Sequence, residues 1–224
     1  MSAYKAAIPN GLTLTNLGAG VVALFYLDIR IALICMTVGL VADVFDGAAA
    51  RALGVDGDLG ALLDSLADLV TFCVVPAVIS HHNLYGKSHL ASAILVLYVV
   101  MGAYRLARFI ISTEEGTDFQ GMPTPASAIT IMGLWIFLED GGITSDQLQY
   151  TLALFLVLGL LNISKVRMLS LKGVTKSRIK QVCFGIIVLV GLISIWLRPE
   201  LALLLTMVCY LILGIIYAII QRKN

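Results

Sequence analysis

Apolar runs of about twenty residues, repeated along nearly the whole chain, most narrow what this sequence can fold into, because a bilayer core takes about 17 to 25 such residues per helix. Eight candidates follow one another, at roughly 11–28, 30–54, 60–80, 90–112, 124–139, 147–164, 181–197 and 200–220. Hydrocarbon offers the backbone no water, so such runs must close their hydrogen bonds within helices. The expected fold class is all-α: a polytopic integral membrane helix bundle of about eight transmembrane helices, with six sufficient for the core. Residues 1–224 read as a single membrane domain, with a core over about 9–164, a basic loop at 165–180 and two further spans in 181–224. Composition agrees, since 59% hydrophobic and 13% charged residues with a mean hydropathy of +0.96 leave too much apolar side chain for a water-soluble interior. Pro9 is expected to precede the first span, and Pro76 to be tolerated near the end of the third.

A net charge of +1 gives no electrostatic case for a nucleic-acid partner, so only the distribution of charge informs. If the spans alternate in direction, twelve of the fifteen basic residues fall on the side that holds both termini; Arg30, Lys87 and Arg198 fall on the other. The positive-inside rule then puts both termini in the cytoplasm, with the protein in the cell membrane. Lys165, Arg167, Lys172, Lys176, Arg178 and Lys180 form a run without an acid, which either attracts anionic headgroups or substrate or serves topology alone. The polar N-terminal stretch leads straight into an apolar run, so the first span is expected to stay attached. Cys35, Cys73, Cys183 and Cys209 each sit alone in apolar sequence and read as small core residues. His81, His82 and His89 are expected in a solvated loop on the non-cytoplasmic side.

Against this background Asp43, Asp46, Asp64 and Asp68 are out of place, because an ionised aspartate near the centre of a membrane helix costs about 2.5 to 3.5 kcal/mol. The first two are three residues apart and the last two four apart, so each pair projects from one helix face. Antiparallel neighbouring helices would bring those faces together. Four acids in one place repel, and a divalent cation removes the repulsion; all-oxygen ligation suits Mg²⁺, Mn²⁺ or Ca²⁺. Gly47, Ala48, Ala49, Ala50, Gly54, Gly57, Gly60 and Ala61 surround the acids. Small residues serve close helix packing, and Gly60, one turn before Asp64, also leaves room for something bulky to approach. Arg51 lies near the cytoplasmic end of the second span, where its planar fork can hold phosphate oxygens or simply snorkel to the interface.

The constellation D-x-x-D-G-x-x-A-R-x8-G-x-x-x-D-x-x-x-D, from Asp43 to Asp68, resembles the motif of the CDP-alcohol phosphatidyltransferase family, membrane enzymes that replace CMP on a CDP-linked lipid with an alcohol. A second stretch, YRLARFIISTEEGTDFQGMPTPASA from Tyr104 to Ala128, is similar to the R-x-A-R-F and F-x-G-L-P-T-P-A-A-A elements of the phosphatidylserine synthases, with Met122 in place of leucine and Ser127 in place of alanine. The opening PNGLTLTNLGAG, from Pro9 to Gly20, resembles that subfamily's first span. The resemblance covers about residues 9–130. It implies CDP-diacylglycerol and L-serine as substrates, with CDP-archaeol as an alternative lipid, and a homodimer in the membrane lipid. It implies metal ligation by Asp43, Asp46 and Asp64, a general base in Asp68 that is also within reach of metal, and a CDP and pyrophosphate surface of Gly47, Ala50, Arg51 and Gly60. It further implies Mg²⁺ or Mn²⁺ as the cofactor, as two ions, with Ca²⁺ able to bind without turnover.

Serine brings a carboxylate, which needs an anion receptor. Arg105 and Arg108, three apart at the cytoplasmic end of the fourth span, are one candidate. Thr124, expected as the N-cap of the fifth helix ahead of Pro125, is the other. Glycerol 3-phosphate or inositol phosphate as acceptor would instead call on a doubly charged pocket such as the 165–180 loop, and the GMPTP segment speaks against both. Intramembrane acids also line cation paths in transporters, but transport needs neither Arg51 nor Gly60 at those separations.

Overall fold

The computed structural model describes residues 2–55, 57–111, 121–141, 145–166, 178–198 and 201–223. Among these the regular structure is helical throughout: α1 (Ser2–Tyr26), α2 (Ile29–Leu53), α3 (Asp58–Tyr85), α4 (His89–Ile111), α5 (Thr124–Gly141), α6 (Ser145–Ile163), α7 (Arg178–Leu197) and α8 (Ala202–Lys223). The eight helices fall on the eight apolar runs. α1 to α4 are long and apolar enough to cross a bilayer; the apolar stretches described in the rest are Thr124–Leu138, Leu148–Ile163, Ile179–Ser194 and Ala202–Tyr217. The chain is an integral membrane protein with an all-helical bundle fold. Arg167, Lys172 and Lys176 of the basic run lie outside the described residues.

Two compact units divide the chain, one within residues 1–112 and one within 113–224. In the first, short links force successive helices to run antiparallel. Leu27 adopts a left-handed backbone (φ 52°) and Asp28 caps α2, its carboxylate accepting from the Ile31 N–H at 3.0 Å. Gly54 ends α2 with φ 61°, a conformation that glycine reaches without strain, and its N–H returns to the carbonyls of Ala50 and Arg51. Gly57 opens α3, where the Ala61 N–H reaches its carbonyl.

The faces that meet are legible in the spacing. Pro9, Thr13, Asn16, Gly20 and Ala23 of α1 are buried at alternating intervals of four and three, one stripe along α2 and α3. α4 buries Ala91, Leu95, Tyr98, Gly102 and Arg105 on the same rule. One proline differs from expectation, and Pro76 is accommodated inside the third helix as expected. Pro9 lies inside α1, because the helix begins at Ser2. Pro76 sits in mid-helix, just after a widened turn at Leu69–Val74. It offers no N–H to Phe72, four residues earlier, and the Phe72 carbonyl accepts from the buried Tyr98 hydroxyl at 3.0 Å instead.

In the second unit α5 packs against α6 and α8, and α7 against α8. Ile131, Trp135, Phe155 and Leu158 are fully buried there. Cys183 and Ile187 of α7 close on Tyr217 of α8, whose ring also carries the Lys180 ammonium at 5.7 Å.

Candidate active site

The link between α2 and α3 sets the register of the acids. Asp46 lies about two turns before that link and Asp64 about two turns after it, each ~10 Å along its helix, so antiparallel packing brings the two helices' acids to one depth. Asp43, Asp64 and Asp68 each offer a carboxylate oxygen within 4.8 Å of the others. The carboxyl groups of Asp43 and Asp64 are in hydrogen-bonding range, which two carboxylates sustain only with a proton or a cation between them. Asp64 Oδ1 is buried with no hydrogen-bond partner, as suits an oxygen reserved for a cation. Three hard oxygens with one orphaned fit a divalent ion of the magnesium or manganese kind.

Asp46 stands apart from that trio. Three residues rotate a helix position by about 60° from its predecessor, against about 40° for four, so Asp46 turns toward α1 while Asp64 and Asp68 stay aligned. There it is buried and accepts from the Thr13 hydroxyl at 2.6 Å. Asp68, also buried, accepts from the Asn16 amide nitrogen at 3.4 Å.

The other expected residues divide by exposure. Arg51 is exposed and folds back over Gly47, where a β-carbon would meet its Nη1 at 3.2 Å; the bare glycine is what lets the guanidinium lie against α2, beside the charge of Asp46. Ala50 and Gly60 are half-buried, and Gly60 has Asn10 of α1 as its near neighbour. Arg105 is buried on the packed face of α4, with Arg108 half-buried one turn on. Thr124 is fully buried. It is the first helical residue of α5 rather than its cap, since the Ser127 N–H already bonds the Pro123 carbonyl at 3.1 Å. His81 is not in a loop: it lies in the last turns of α3, its ring nitrogen 2.8 Å from the Ser92 hydroxyl.

The reading of motifs missed the residues that hold these groups in place. Thr13 and Asn16 come from α1, where the signal was present: a threonine and an asparagine three apart, on one face of an apolar helix. Asn162 had no such signal. With the amide turned so that its nitrogen faces acceptors, that nitrogen lies 3.3 Å from the Leu158 carbonyl, 3.1 Å from the Met122 carbonyl and 2.8 Å from Ser127 Oγ, so the serine that departs from the alanine pattern is among its partners. Gly121, with φ 79°, is wedged beneath the carbonyls of Asn162 and Ser164, where no side chain fits.

A family model described as CDP-alcohol phosphatidyltransferase matches residues 6–166, a stretch that contains all four acids and most of α1. The chain belongs to that family. Among curated relatives of this phosphatidyltransferase, a protein named CDP-diacylglycerol–serine O-phosphatidyltransferase from Helicobacter pylori is 33% identical over 216 residues, covering 93% of this chain and 89% of the relative. Proteins of the same name from Methanocaldococcus jannaschii and Bacillus subtilis are 32% and 35% identical, over 71% and 56% of this chain and 72% and 73% of their own lengths.

Proposed function

We propose that the protein transfers the phosphatidyl group of CDP-diacylglycerol to the hydroxyl of L-serine, giving phosphatidylserine and CMP. The observation that carries this reading is the trio of Asp43, Asp64 and Asp68 gathered inside membrane helices at the family's spacing. The acceptor follows from the similarity to relatives named for serine transfer over nearly the whole chain. Asp43, Asp64 and Asp68 would hold Mg²⁺ or Mn²⁺, and Asp46, turned toward Thr13, would serve the second of two ions. When bound, the metal supplies neutralisation of the diphosphate charge and of the departing CMP.

The chain's own groups do the rest. Asp68 takes the proton of the serine hydroxyl as its oxygen bonds to the β-phosphorus and the bond from that phosphorus to the CMP oxygen breaks. Arg51, free to leave the Gly47 surface, steadies phosphate oxygens, while Ala50 and Gly60 let the nucleotide lie close. The serine carboxylate is received by Arg105 and Arg108 of α4 or, as the alternative, by the start of α5 at Thr124. The site opens to the cytoplasm with both termini on that side of the cell membrane, and the working form is a homodimer.

The test is CMP release by the purified protein given CDP-diacylglycerol and Mn²⁺, with serine, glycerol 3-phosphate and inositol phosphate side by side, repeated with CDP-archaeol. Release dependent on serine supports the assignment. Release with another acceptor moves the protein within its family, and none with any acceptor or lipid would leave the cation-transporter reading.

A further inference from the structure

We infer that Asn16 is a positioning residue for Asp68: α1, which contributes no acid, aims the proposed base. This rests on the proposed role of Asp68. Asn16 has no exposed surface, and its amide nitrogen donates to Asp68 Oδ1 at 3.4 Å. One carboxylate oxygen is thereby held and the rotamer of Asp68 is set. The amide cannot turn over, because its oxygen would then face a carboxylate; that oxygen, Oδ1, has no hydrogen-bond partner and rests against Gly39.

Gly39 and Thr71 fix the asparagine from two sides. A β-carbon at Gly39 would stand 2.6 Å from Asn16 Oδ1 and 2.8 Å from Thr71 Cγ2. The Thr71 hydroxyl donates to the Asn16 backbone carbonyl at 3.0 Å, pinning α1 to α3 at this level. A buried asparagine that forgoes a partner for its oxygen is costly. Retaining it beside an acid is what a group that orients a reacting side chain requires, and outer partners of this kind change activity by about 10- to 100-fold when removed.

The experiment uses the full-length protein in lipid nanodiscs. Asn16→Ala, the volume-filling Asn16→Leu, and Gly39→Ala, which leaves Asn16 intact but displaces it, are each combined with Asp68→Asn. The expected result is a fall in kcat of about 10- to 100-fold in all three single variants. KM for CDP-diacylglycerol and Mn²⁺ affinity, read by electron paramagnetic resonance, should stay within about 2-fold, with no further loss in the Asp68→Asn background. Full kcat in Asn16→Leu, or the same fold loss with and without Asp68, overturns the inference. If Asp68→Asn itself turns over normally, it is the base assignment that fails. An Asn16 variant that loses Mn²⁺ binding in step with kcat would make the residue a support of the metal cluster, and the inference would be wrong.

Discussion

Replacing Asp68 by asparagine keeps the shape of the side chain and removes its capacity to take a proton. Asp68→Asn should therefore bind CMP and Mn²⁺ but lose turnover by about 100-fold or more, a loss checked by CMP release against calorimetric binding. The paired arginines are separable in the same way. Arg105→Ala and Arg108→Ala should raise KM for serine by about 10-fold or more at little change in KM for CDP-diacylglycerol, the loss expected of a charged hydrogen bond. If serine saturation is unaltered in both, the carboxylate is received elsewhere. The acids were legible as residues because charge inside an apolar run needs a reason. Their partners Thr13 and Asn16 carry no charge, and a polar neutral side chain in a membrane helix is common enough to pass unread.

At the scale of elements, helix approach is governed by what has no side chain. Gly133 of α5 lies against the backbone of α8, where a β-carbon would stand 2.9 Å from the Leu204 nitrogen. Backbone cannot yield as a flexible side chain does, so Gly133→Ala should lower stability by about 1 to 3 kcal/mol, measured as thermal unfolding in detergent. The α2–α3 pair instead brings acids together, which on the proposed function a cation would hold. Stripping divalent ions with EDTA should lower the unfolding temperature and abolish CMP release, and Mn²⁺ should restore both, because binding to the folded state alone stabilises it. An unchanged unfolding temperature would mean that no cation bridges these helices. The eight helices were readable from their apolar runs, and so was a proline tolerated inside the third; which group answers for its missing N–H was not. Pro76 is tolerated there because Tyr98, on another helix, supplies the donor that its ring lacks.

For the whole molecule, orientation is a matter of charge asymmetry rather than packing. With twelve of fifteen basic residues on one side of the alternating plan, a reporter that fluoresces only in the cytoplasm should be active when fused at either terminus. A phosphatase that works only outside it should be silent at the same positions. The reverse pattern would turn the proposed site away from cytoplasmic CDP-lipid and serine.

Sequence by itself determined the solvent, the class of fold and the family. Long apolar runs admit only helices in hydrocarbon, and acids at helical spacing among small residues admit few uses. Tertiary structure decided which oxygens meet. Rotation about α2 carries Asp46 to Thr13 and leaves Asp43 with Asp64 and Asp68, a division that depends on where α1 lies. Periodicity states which residues share a face; which neighbour that face meets is fixed only when the other helices are in place.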